Sequence, residues 1–172
     1  SSIVASDKKE YVRRAYATTS KDYDRIYGEE QYAKYFVGLR SVKPSGIVLD
    51  AGCGTGLLFT YILENELYHK ISYYVGIDVS PHMLSKALHR IRTAPYVLSD
   101  LVEADIEHTP FRQKSFDIIY SFTVVDLLEE PDKGVNELRG VCKYSMIISY
   151  LKKAQLARRK FPVAKLLGET DK

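Results

Sequence analysis

A carboxylate followed at once by three alternating glycines is where this chain could do chemistry. Asp50 closes the apolar run "GIVLD" (46–50), and Gly52, Gly54 and Gly56 follow in "DAGCGTG" (50–56). Glycine has no Cβ, so the backbone can turn sharply there and a ligand can lie directly against it. A helix that follows such a loop adds free N–H groups and a partial positive charge at its start. Two ligand classes use loops of this kind. A dinucleotide fingerprint wants its third glycine five residues after the first, a position held here by Leu57. A carboxylate at the strand tip also repels a pyrophosphate and attracts an ammonium group. The pattern therefore points to a nucleoside with a cationic amino-acid tail, held by Asp50, Ala51, Gly52, Cys53, Gly54 and Gly56. The plainer alternatives are that Asp50 caps the next helix and that Cys53 is a small packed residue rather than a nucleophile.

The elements that must position this loop form an alternating series. "GIVLD" is a continuous apolar run, as in a strand covered on both faces. "GLLFTYILENEL" (56–67) has helical spacing, and "YYVGIDV" (73–79) is a second strand. "SPHMLSKALHRI" (80–91) starts with Ser80 as a cap and Pro81 at the first helical position. A third strand lies within 96–105, a fourth in "FDIIYSF" (116–122), a helix in "PDKGVNELRGVC" (131–142) and a fifth strand in "YSMIISYL" (144–151). Before the series, "KKEYVRRAYA" and "DYDRIYGEEQYAKYFVGLR" read as two or three helices. The expected class is α/β: a Rossmann-like, doubly wound, mostly parallel sheet with helices on both faces. Ligands of such sheets bind at the carboxyl ends of the strands, near the switch in strand order.

Composition narrows the setting. The chain has 172 residues, 45% hydrophobic and 27% charged, enough for one domain with a sizeable core. No apolar run approaches the ~20 residues of a membrane helix, and the start has no apolar centre of the signal-peptide kind. Cys53 and Cys142 share no metal-ligand spacing, so the expected compartment is the reducing cytoplasm, with no membrane and no metal. The net charge of +3 is uneven: residues 152–172 hold seven basic side chains against Glu169 and Asp171, a net +5. Such a tail can meet RNA or another anionic partner, or it can be a solvated helix face.

The motif "VLDAGCGTG" resembles the first motif of class I S-adenosylmethionine-dependent methyltransferases, and three further stretches follow in that family's order. "VGIDVSPHML" is similar to its second motif, "VEADIEHTPF" to its third and "FDIIYSFTVVDLLEEP" to its fourth; together they span roughly 46–151. The resemblance implies S-adenosyl-L-methionine as cofactor. It implies that Asp78 accepts both ribose hydroxyls, that Val79 and Met83 pack on the adenine and that Asp105 takes a hydrogen bond from the adenine amine. Ile106 would then cover the other face of the ring, and Ser121 would lie beside the methionine part. Asp78 as a turn residue, and Glu103 in place of Asp105, stay open as alternatives. "AYATTSKDYDRIYGEEQY" resembles the lid that precedes the fold in ubiquinone/menaquinone-type and other small-molecule or RNA-modifying members. It offers Tyr16 and Tyr23, with Tyr27, either as cofactor contacts or as core packing. The resemblance thus divides the chain into a helical lid (1–40), a cofactor-binding core (46–151) and a basic tail (152–172) of one methyltransferase domain.

The implied reaction is transfer of a methyl group to an unidentified acceptor, a small molecule or RNA. No catalytic base is legible. "SFTV" in the fourth motif is not the Asn/Asp-Pro-Pro-Tyr/Phe of enzymes that methylate planar amines, and no Pro-Cys nucleophile is present. The end departs from the family, with a short or missing C-terminal hairpin. That would leave an open sheet edge for a homodimer or a small activator subunit. Two other functions are a non-catalytic scaffold that keeps the fold and an NAD-dependent oxidoreductase, which the glycine spacing disfavours.

Overall fold

A computed structural model describes residues 20–122, 128–149 and 164–166, with side chains described from 25 to 122 and from 128 to 149. The expected helix at 8–17, Tyr16, the Tyr23 side chain and nearly all of the basic tail lie outside the described residues. The described elements are α1 (Ser20–Ser41), β1 (Gly46–Ala51), α2 (Leu57–Glu64), β2 (Ile71–Asp78), α3 (Pro81–Ile91), β3 (Ser99–Glu103), β4 (Phe116–Phe122), α4 (Pro131–Val141), β5 (Cys142–Ser149) and β6 (Ala164–Leu166).

The six strands form one sheet in the order β3-β2-β1-β4-β5-β6, and every neighbouring pair is parallel. The chain winds outward from β1 through β2 to β3, then returns to β4 on the other side of β1. The reversal falls between β1 and β4, so the loop after β1 opens at the switch point. Alternation along each strand separates two cores. Leu49, Ala51, Ile77, Ile119, Met146 and Ile148 face Val135 and Leu138 of α4. Val48, Tyr74, Tyr120 and Ile147 face Tyr35 and Leu39 of α1 and Leu58, Phe59 and Ile62 of α2. Each fully buried Val, Leu, Ile, Phe or Met among them contributes about 1.5–3 kcal/mol. These two layers explain why the central strands read as unbroken apolar runs.

The segment at 22–40 lies within one helix, as the sequence reading allowed, and from Tyr35 onward α1 packs on the sheet. Two details differ from the sequence reading. β5 begins at Cys142, directly at the end of α4, with no intervening turn. The edge expected to stand open beside β5 is paired at Met146–Ile148 by β6, which runs parallel, so β5 and β6 do not make a hairpin. Among the described residues no helix is long and apolar enough to cross a membrane.

Candidate functional site: the glycine loop and the tips of β1, β2 and β3

The loop between β1 and α2 turns on Gly52, Gly54 and Gly56, with φ of +76°, +54° and +86°. Two of these positions need glycine for different reasons. A Cβ on Gly56 would lie 3.2 Å from the Cα of Ala87, so α2 and α3 approach each other there without room for a side chain. A Cβ on Gly54 would meet nothing within 4 Å. Gly54 thus shows bare backbone to open space, which suits a ligand lying against it.

Asp78, at the tip of β2, organises this loop. Its Oδ2 accepts the N–H of Gly54 at 3.0 Å and its Oδ1 accepts the N–H of Ser80 at 2.9 Å. Ser80 then caps α3, its Oγ accepting the N–H of Met83 at 3.2 Å, with Pro81 at the first helical position. A carboxylate offers about four acceptor positions, so each Asp78 oxygen retains capacity for a ligand hydroxyl. Beside it Val79 is 64% exposed and Met83 37% exposed. Apolar side chains displayed next to an ordered carboxylate form a floor for a flat ring that carries a polar sugar. The N–H of Ala104 donates to the carbonyl of Asp78 at 3.1 Å and brings Asp105 alongside, where its Oδ1 accepts the N–H of Glu107 at 2.9 Å.

Asp50 lies deeper. It is 3% exposed, and the Tyr74 hydroxyl donates to its Oδ2 at 2.5 Å. Burial pushes the Asp50 carboxyl up to about 7; the Tyr74 bond counteracts this and the Asp78 charge adds to it. Cys53 is buried above Gly76, where a Cβ would lie 3.0 Å from the Cys53 Sγ. Burial raises the Cys53 thiol well above its ordinary value, so it stays protonated and packs rather than attacks.

The structure therefore brings Gly54, Asp78, Val79, Met83 and Asp105 together at the strand tips, with Asp50, Ala51 and Cys53 beneath them. Ile106 is only 4% exposed and packs in the core on the α4 side, not on display opposite Val79. Ser121 is buried, its Oγ donating to the carbonyl of Ala51 at 3.1 Å, which ties β4 to β1. Tyr27 is half exposed on α1. Sequence reasoning missed Tyr74 and Gly76. An isolated glycine inside the strand run "YYVGIDV" is itself a signal of close backbone approach. A concavity of about 750 Å³ lies nearby over Glu107, His108, Glu130, Lys133 and Glu137; no glycine-loop residue lines it.

A family described as a methyltransferase domain matches residues 49–147, which include the glycine loop and the Asp78 and Asp105 tips. The chain is 35% identical over 106 residues to the 18S rRNA (guanine-N(7))-methyltransferase of Bos taurus, covering 60% of this chain and 34% of that one. It is 27% identical over 148 residues to a ubiquinone/menaquinone biosynthesis C-methyltransferase of Stenotrophomonas maltophilia, covering 82% and 58%. The chain thus spans between a third and three-fifths of the length of these relatives. A SAM-dependent methyltransferase from Aquifex aeolicus shares the fold, with a TM-score of 0.52 and 23% identity over 67% of this chain and 58% of that chain. Open backbone at Gly54, spare acceptor capacity on Asp78 and exposed apolar ground at Val79 fit the cofactor of this family. With the motif order and the family match in agreement, the chain belongs to the class I S-adenosyl-L-methionine-dependent methyltransferases.

Proposed function

We propose that the chain binds S-adenosyl-L-methionine across the tips of β1, β2 and β3 and directs its methyl group to a nucleophile on RNA. When bound, the cofactor supplies a methyl group activated on a sulfonium. Asp78 accepts the two ribose hydroxyls, since one carboxylate can take both bonds of a vicinal diol. Val79 and Met83 pack on the adenine, and Asp105 accepts from its amine. Gly52 and Gly54 let the amino-acid tail lie on the backbone, and Asp50 supplies the negative charge beneath it. With a good leaving group already in place, the chain's contribution is alignment and desolvation, with no base required.

The observation that carries the reading is the Asp78 carboxylate, ordered by Gly54 and Ser80 at an open, partly apolar tip. RNA as acceptor is supported by the net +5 of residues 152–172 and by the ribosomal RNA substrate in the name of the bovine relative. A small-molecule acceptor is the second reading, favoured by the quinone-type relative that aligns with 82% of the chain. The test has two parts. Calorimetry with S-adenosylhomocysteine should show binding; no heat would support a scaffold that keeps only the fold. Transfer of tritiated methyl to total RNA, with affinity that falls steeply as salt rises, supports RNA. Label found only in small metabolites refutes it.

A further inference from the structure

Asp50 and Gly76 are register partners on β1 and β2, and Tyr74 lies two residues before Gly76 on the same face of β2. That placement lets a fully buried phenol reach along the sheet to the Asp50 carboxyl, with its hydroxyl 2.5 Å from Oδ2. We propose that Tyr74 is a positioning residue: its hydroxyl bond fixes the rotamer of Asp50 and holds the charge that faces the cofactor's ammonium group. The proposal rests on the cofactor reading above.

Among the described residues, the other groups around Asp50 leave this task to Tyr74. Asp78, at the end of β2, is a like charge and favours the neutral carboxyl. Cys53, in the glycine loop, is a buried thiol that remains protonated. Tyr35 of α1 is buried on the same side, and the Asp50 charge pushes its phenol further up. The charge of Arg90, from α3, reaches Tyr35 and Tyr32, and its Nη1 donates to Thr60 Oγ1 at 2.9 Å. Tyr120 of β4 is the register partner of Asp50 on the other side, but its hydroxyl donates to the Val42 carbonyl at 2.6 Å and is turned away. A buried carboxylate needs donors to stay ionised, and among the described residues Tyr74 is the side chain that donates to Asp50. Its ring packs on Phe59 with centroids 5.0 Å apart, so the phenol is held in place by the core.

The test is Tyr74→Phe, which keeps the ring and removes the hydroxyl. The Asp50 carboxyl is followed by ¹³C NMR in the ligand-free chain, assigned with Asp50→Asn, and S-adenosylhomocysteine affinity is measured across pH 5–9. The Asp50 midpoint should move upward by roughly one to two pH units, the worth of one bond to a charged group. The pH below which affinity falls should move upward with it, while affinity well above that midpoint changes less. In the wild-type chain the Tyr74 ring carbon bearing the hydroxyl should titrate together with Asp50, which tests the pair even if the variant does not fold. A Tyr74 signal indifferent to the Asp50 midpoint, or a variant whose midpoint and binding profile coincide with wild type, overturns the proposal. A wild-type chain that takes up no S-adenosylhomocysteine refutes the cofactor reading itself and the proposal with it.

Discussion

Replacing Asp50 with asparagine should make the ligand-free chain more stable, and increasingly so as pH rises. The carboxyl titrates at about 7 in the folded chain against an ordinary 3.8, chiefly because it is buried. A raised carboxyl value favours folding below about pH 4, and the advantage is lost as pH climbs to about 7. Above pH 7 both states are ionised and the folded chain carries the full cost. At 1.36 kcal/mol per pH unit, that cost is about 4 kcal/mol at pH 8 and about 2 kcal/mol at pH 5. The asparagine amide is neutral throughout, and its oxygen can still accept from Tyr74, so the cost disappears. The advantage of the variant should therefore grow by about 2–3 kcal/mol between pH 5 and pH 8, or several degrees in Tm for a chain of this size. Urea unfolding of both chains at pH 5, 6, 7 and 8 measures it. A difference that stays flat across that range would mean that Asp50 is not a buried carboxyl that must ionise, and the account of its role would fail. In the same variant, S-adenosylhomocysteine should bind more weakly at pH 8, because the charge under the amino-acid tail is gone.

The glycine loop and the tip of β2 yield three further expectations. Asp78→Ala should weaken S-adenosylhomocysteine binding by about 1–3 kcal/mol, read by calorimetry, through lost charge-assisted bonds and a loop no longer held at Gly54 and Ser80. Gly56→Ala should lower Tm through both its left-handed backbone and the close approach of Ala87, at a cost of roughly 1–3 kcal/mol. Gly54→Ala should cost only about 1 kcal/mol of stability, since its new methyl enters open space, yet it should reduce cofactor affinity disproportionately. Equal losses of stability in the two glycine variants would contradict the distinction between a packed position and an open one.

Strands buried on both faces announce themselves as short apolar runs, and β1, β2, β4 and β5 were legible for that reason. α3 was legible from Ser80 and Pro81, whose cap bond the structure shows. β6 was not: three residues, "AKL", carry no period, and the strand exists because the β5 edge offers backbone partners. The grouping of Asp50, the glycines, Asp78 and Asp105 could be read from motif order. What could not be read was depth. Motif position says that Ile106 and Ser121 are near the strand tips, but only packing against α4 and the bond to Ala51 show that both side chains are turned into the protein. The Asp50–Tyr74 pair escaped notice because it depends on strand register, and a tyrosine in an apolar run looks like any other core residue.

One carboxylate clamps two separate stretches of backbone, the turn after β1 and the start of α3. The geometry that a nucleoside would need is thereby assembled when the polypeptide folds, not at the moment of encounter. Little configurational freedom then remains to be surrendered on docking, so arrival and departure of the nucleoside should be governed by whatever covers the cleft, not by rearrangement of its floor.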